Sequence, residues 1–381
     1  MREIETRERL YLMLNYAVEH NVRLFKETQE RFSDLAEIAL LAKAHSETAF
    51  AFLPLRAKRR LFEAADDAFL DKYTRWLKES KVGVALPEHP EYPALLREIT
   101  DPPTVLFYRG KLVGDLPLPV AIVGTRTATD YGKQMAELFA FQLAQRGATI
   151  ISGMASGIDS CAARGALRCE DAAYPTVAVL GSGIDVIYPN ENVRLYDEII
   201  ERGAVVTEFL PHTRPARENF PIRNRIMSGM AKGTLAVEAG ERSGTSITVG
   251  CALEQGREAF AIPGRLTDAM SAGTNRMIQM GEAKPVFCAA DILQEFDIAA
   301  SNQAFNAGAK KIRLSSLDED EASVCRILKN GEKSIDELFA LLALPLGTLN
   351  SVLTGMQFSG IIKQLPGRLY ALDCVNTIVE E

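Results

Sequence analysis

From residue 118 the chain alternates short apolar runs with helix-length segments, and this pattern constrains its fold more than any other. The runs fall at 120–123, 148–151, 176–180, 204–207, 234–237, 258–262 and 285–287. Most are continuously apolar, as strands buried on both faces are, and most are separated from the next by enough residues for a crossover helix. The expectation is an α/β domain, a doubly wound parallel sheet of Rossmann-like type, over residues 117–297.

In such a sheet, ligands bind beyond the carboxyl ends of the strands, and the unusual residues of this chain collect there. The first run leads into Gly124, Thr125 and Arg126. The second leads into Ser152, Gly153, Met154, Ala155, Ser156, Gly157, Ile158 and Asp159, directly before a predicted helix. The third ends at Gly181-Ser182-Gly183, and the run at 234–237 leads to Ser243, Gly244 and Thr245 at another helix start. Glycines let a ligand approach the backbone, hydroxyls add donors, and N–H groups at a helix start favour an anion. Together these loops predict a phosphate-binding rim. The dinucleotide fingerprint GxGxxG is absent, since Gly124 is followed next by Gly132, and so is the nucleotide-triphosphate loop GxxxxGK[ST]. No cofactor is expected.

A second signal is the segment HTRPARENFPIRNR at 212–225, with Arg214, Arg217, Arg223 and Arg225 against the single acid Glu218. Residues 117–296 hold 14 arginines and only three lysines. The guanidinium fork matches phosphate and stacks on bases, so this bias suits nucleic acid. The embedded Phe220-Pro221-Ile222 reads as an apolar anchor holding Arg223, Asn224 and Arg225 against the rim. A solvated basic loop is the plainer alternative.

The flanks read differently. Residues 1–85 form a helical N-terminal region, with Leu10, Leu14 and Val18 on one helix, Phe32, Leu35, Ile38 and Leu41 on another, and a third from about 56 to 77. A degenerate helix–hairpin–helix module is conceivable, but no glycine lies between Asn21 and Lys81 to form its hairpin, which favours a scaffold. Residues 86–116 are a Pro-rich connecting segment with an extended strand at 104–108. Residues 298–316 read as a linker, and 317–376 as a winged-helix module: helices at 321–328, 334–342 and 347–358, then a hairpin at 361–364 and 368–372 around Pro366-Gly367. From 317 to 381 there are ten acids and five bases, and the candidate recognition helix at 347–360 has no Lys or Arg. The module is therefore expected not to read duplex DNA.

Lys and Arg number 43 and Asp and Glu 50, a net charge of −7, which argues against coating nucleic acid by bulk positive charge. No apolar run is long enough for a transmembrane helix, no signal peptide is legible, and the six scattered cysteines, including Cys374, predict reduced thiols rather than a metal site. A cytoplasmic protein without membrane contact is expected.

The α/β stretch resembles the DNA-processing protein A family (DprA, also called Smf). It does so through AIVGTR at 121–126, ISGMASGID at 151–159, AVLGSGIDVIYP at 178–189, FPIRNRIMSG at 220–229, EAGERSGTSITVGCALEQGR at 238–257, AIPG at 261–264 and SAGTNRMIQMGEA at 271–283. The resemblance implies a non-enzymatic protein that binds and protects single-stranded DNA, helps load the RecA recombinase during natural transformation, and forms a homodimer through the α/β domain. It implies DNA contacts at Gly124, Thr125, Arg126, Ser152, Gly153, Ser156, Gly157, Gly181, Arg223, Asn224, Arg225, Ser243, Gly244 and Thr245. Two departures stand out: Ser156 occupies a position that is usually basic, and Ala162-Ala163 replaces the usual Ala-His. The competing reading is a nucleotide-processing phosphoribohydrolase of the lysine-decarboxylase-like type. Its catalytic glutamate falls at Thr248 here, and a threonine cannot do the work of a carboxylate in glycosidic cleavage.

Overall fold

The computed structural model describes residues 4–241, 243–296, 310–329, 331–342, 344–365, 367–372 and 377–380. The chain divides into two compact units, Met1–Phe287 and Cys288–Glu381. Most of the expected linker, Pro366 of the hairpin turn and Cys374 lie outside the described residues.

The first unit begins with helices α1 (Thr6–Val18), α2 (Val22–Glu30), α3 (Leu35–Lys43), α4 (Leu55–Ala64) and α5 (Asp67–Glu79). The single helix expected at about 56–77 is two, because the Asp66 carboxylate accepts the Ala68 N–H at 3.1 Å and caps a new start. Phe32 lies in the turn between α2 and α3 rather than on a helix.

The sheet that follows has nine strands: β1 (Gly83–Ala85), β2 (Leu106–Gly110), β3 (Val120–Val123), β4 (Ile150–Ser152), β5 (Thr176–Val179), β6 (Ala204–Thr207), β7 (Gly233–Ala236), β8 (Glu258–Ala261) and β9 (Lys284–Pro285). Their spatial order is β1-β2-β6-β5-β4-β3-β7-β8-β9. All pairs are parallel except β1–β2 and β2–β6. The parallel expectation thus holds from β3 onward, and two antiparallel strands are added at one edge, β2 from the connecting segment and β1 from the end of the region expected to be helical. Between and after the strands come α6 (Ala94–Arg97), α7 (Asp130–Gln145), α8 (Ile158–Leu167), α9 (Val193–Arg202), α10 (Asn219–Gly229), α11 (Gly244–Glu254) and α12 (Ala272–Gln279).

Strands β3 to β7 are buried along their whole length, and successive side chains serve opposite layers. Val205 packs with Leu195, Tyr196 and N-terminal residues such as Leu14 and Leu61 in one apolar cluster. Val206 packs with Leu96, Ile226 and Met230 in another. The N-terminal helices therefore share a core with one face of the sheet. Burying a side chain of this size stabilises by roughly 1.5–3 kcal/mol each.

The second unit contains α13 (Ala289–Glu295), β10 (Lys310–Arg313), α14 (Glu319–Leu328), β11 (Lys333–Ser334), α15 (Ile335–Leu342), α16 (Leu346–Phe358), β12 (Ile362–Leu365), β13 (Leu369–Leu372) and β14 (Thr377–Glu380). Three helices followed by a β12–β13 hairpin match the expected order. The short strand β11 joins that hairpin to make a three-stranded antiparallel sheet, and β14 pairs in parallel with β10. Val324, Leu338, Leu349, Leu353 and Met356 form its core. Among the described residues no single helix is long and apolar enough to cross a membrane. The cysteines described, Cys161, Cys169, Cys251, Cys288 and Cys325, are free thiols.

Candidate nucleic-acid interface

Strand order locates the site. The chain runs from β3 through β4 and β5 to β6 on one side, then crosses back to place β7 on the other side of β3. The loops after β3 and β7 diverge at this switch point and leave a crevice. A cavity of about 770 Å³ opens there. Its walls are Gly124–Thr127 after β3, Ala155 and Asp159 before and within α8, the start of α10 with Arg217, Phe220, Arg223 and Asn224, and Ser243, Gly244, Thr245 and Thr248 at the start of α11.

Each loop is held by a specific contact. The Thr125 N–H donates to the Glu238 carbonyl at 2.9 Å, and the buried Glu238 carboxylate accepts the Thr129 N–H at 2.9 Å. The loop after β3 is thus tied to the end of β7. Ser243 caps α11, its hydroxyl accepting the Thr245 N–H at 3.2 Å and donating to Thr245 Oγ1 at 2.9 Å. Gly157 has φ +83°, and a Cβ there would lie 2.4 Å from the Thr125 carbonyl oxygen. Only glycine permits the two loops to approach this closely.

Eight of the fourteen expected contact residues line the cavity: Gly124, Thr125, Arg126, Arg223, Asn224, Ser243, Gly244 and Thr245. The other six do not, and each has a structural task. Ser152 donates to the Ile122 carbonyl at 2.8 Å. The Gly153 carbonyl accepts from Arg223 Nη1 at 2.8 Å, and a Cβ at Gly153 would sit 1.9 Å from that nitrogen. Gly157 makes the close approach just described, and the Gly181 carbonyl accepts from Asn219 Nδ2 at 3.0 Å. Ser156 donates to Glu191 Oε1 at 2.8 Å.

Arg225 faces away from the rim. It is two residues from Arg223 on α10, about 200° around the helix, so the two guanidinium groups take opposite sides. Arg225 Nη2 donates to Glu208 Oε2 at 2.6 Å, and Nε forms an ion pair with Asp101 Oδ2 at 3.0 Å. Burial pushes the Glu208 carboxyl up to about 7, against the pull of Arg225. The expectation that Phe220-Pro221-Ile222 anchors all three polar residues to the rim therefore fails for Arg225, because the segment is helical rather than a loop.

Arg223 does reach the cavity wall but is 3% exposed. Its Nη1 also donates to the Val179 carbonyl at 2.6 Å, and its Nε to Asn224 Oδ1 at 3.2 Å. Burial pulls this guanidinium down from its ordinary value, and the nearby Asp159 opposes that shift. Burial in turn raises the Asp159 carboxyl, with Arg223 opposing. Among the described residues lining the cavity, the cations open to solvent are Arg126, whose Cζ lies 4.3 Å from the centroid of the Phe220 ring, and Arg217.

The profile of the DNA recombination-mediator protein A family matches residues 83–297. The chain belongs to this family. DNA processing protein DprA of Bacillus subtilis is 40% identical over 210 residues, covering 54% of this chain and 68% of the relative. The X-ray structure of DprA from Streptococcus pneumoniae superposes with a TM-score of 0.64 at 34% identity, over 77% of this chain and 99% of that one. DNA processing protein A from Helicobacter pylori, described for its single-stranded DNA binding mode, superposes at 0.50 with 28% identity, over 57% of this chain and 98% of that one.

Thr248 is buried in the cavity wall where the glutamate of the competing motif would stand. Glu238 is turned onto Thr129, and Asp159 is buried against Arg223. Sequence reasoning named Arg217 in the basic segment and Asp159 in the loop expected before α8 but left both off the site, and it missed Thr127. For Arg217 the signal was present: it precedes the anchor Phe220 by three residues in the same run.

Proposed function

We propose that this DprA-family protein binds single-stranded DNA at the switch-point cavity and acts as a non-enzymatic recombination mediator. The observation that carries the reading is the pairing of two solvent-facing arginines, Arg126 and Arg217, with the Ser243-capped start of α11 around one cavity. Positive side chains and helix-start N–H groups converge there on a space suited to backbone phosphate. Phe220, beneath Arg126, adds an aromatic face on which a base can stack once the guanidinium moves to a phosphate. A crevice of this size, in a chain of net charge −7, suits one strand threaded through a few contacts rather than a duplex laid on a basic surface.

Family membership extends the proposal to protecting incoming DNA in the cytoplasm, delivering it to the RecA recombinase during natural transformation, and acting as a homodimer through the α/β unit. The test is a binding comparison of the intact chain with single-stranded and duplex oligonucleotides across a salt series. Tighter single-strand binding is expected, with a log–log salt slope of about −0.7 per phosphate neutralised. Equal affinity for duplex, or no salt dependence, would overturn the reading. Release of free base from AMP would favour the phosphoribohydrolase instead.

A further inference from the structure

Among the described residues lining the cavity, the solvent-exposed cations are Arg126 and Arg217. Arg126 and Arg217 stand on the wall formed by the loop after β3 and the approach to α10. The turn before α8 packs against the backbone of Thr125 and Arg126 through Gly157; there Ala155 lines the cavity and Ser156, just outside it, follows. Here the contact is with an acid: Ser156 Oγ donates to Glu191 Oε1 at 2.8 Å. Glu191 is not a stray surface carboxylate. It sits in the short turn Asn190–Asn192, and the next residue, the buried Asn192, donates to the Met154 carbonyl at 2.9 Å. Asn192 also accepts from Arg164 Nη2 at 3.4 Å. Two contacts, one from Asn192 and one from Glu191 itself, therefore hold this carboxylate against the turn that opens α8.

A negative charge fixed beside a helix start occupies the position that an incoming phosphate would otherwise favour, and repels phosphate from it. We propose that Glu191 is a specificity-determining residue that closes the Ser156 corner, at the edge of the Arg126 loop, to phosphate and so turns the bound strand from Arg126 toward Arg217 and away from the start of α8. This rests on the single-stranded DNA reading above and adds to it the direction in which the strand leaves the site. It predicts that a cation placed at position 156 alone gains nothing, because Glu191 is within hydrogen-bonding reach and pairs with it.

The test uses the full chain and a labelled oligo-dT, with dissociation constants measured over a salt series. Glu191→Gln should tighten binding roughly three- to tenfold at low salt, the gain fading as salt screens the charge. Glu198→Gln, which removes an exposed acid from the nearby α9, controls for net charge and should match the native chain. Ser156→Arg should leave the salt slope unchanged, whereas Ser156→Arg combined with Glu191→Gln should steepen it by about 0.7. The inference is overturned if Glu191→Gln binds no more tightly than the native chain, if Glu198→Gln gains as much, or if Ser156→Arg alone steepens the slope as far as the double variant. A native chain that shows no salt-dependent binding overturns the functional reading itself, so the two failures are distinct.

Discussion

Arg126 and Arg217 stand on loops at the cavity mouth, open to solvent, while Arg223 and Arg225 lie on α10 with their guanidinium groups turned into the protein. All four look alike in sequence, and three of them come from one basic segment. The difference is in what already satisfies them. Arg223 holds the Gly153 and Val179 carbonyls, and Arg225 holds Glu208 and Asp101. Buried pairs of this kind determine loop position and are costly to break, whereas an exposed arginine contributes little to stability and remains available to a ligand. A basic motif in a phosphate-binding fold is thus divided between residues that build the rim and residues that meet the ligand.

The largest effect should come from the building set. Arg223→Met keeps the bulk but strands two carbonyls and Asp159, and should lower unfolding free energy by roughly 3–5 kcal/mol in urea titration. Arg126→Met should stay within about 0.5 kcal/mol of the native chain. Equal losses would break the comparison.

A smaller effect separates the buried acid. Burial holds Glu208 at about 7, whereas an unfolded glutamate titrates near ~4.3. Between these values the folded state keeps a proton that the unfolded state has released, so this group's contribution to stability declines as pH rises through the window. In Glu208→Gln that decline is absent. Relative to the native chain, the variant should gain on the order of 1–3 kcal/mol between about pH 5 and 8, read from denaturation at each pH. A pH-independent difference would sink the assignment.

The smallest change in free energy belongs to the ligand-facing set. Arg126→Ala or Arg217→Ala should weaken oligo-dT binding by roughly five- to thirtyfold, about 1–2 kcal/mol, and flatten the salt slope by about 0.7. The unfolding midpoint should not move.

The sheet was legible because its strands are buried on both faces, and continuous apolar runs survive any reading frame. Predicted and observed limits differ by one or two residues, as at 148–151 against Ile150–Ser152, where hydrogen bonding rather than hydrophobicity sets the ends. The edge strand Gly83–Ala85 was not legible. Three residues carry no period, and what makes them a strand is the antiparallel partner at Leu106–Gly110. The break between α4 and α5 was hidden for a similar reason, since apolar spacing continues across Asp66 while its capping bond does not show in a pattern.

The sequence by itself determined the layer architecture, the gathering of glycine and hydroxyl residues at strand ends, and the family, because local composition and spacing record these directly. Only the tertiary structure decided which of those residues are free to meet a ligand. Arg225 turns away and Glu191 is brought to Ser156 from 35 residues along the chain. Such orientations depend on helix phase and on partners distant in sequence, and no local pattern of residues carries either.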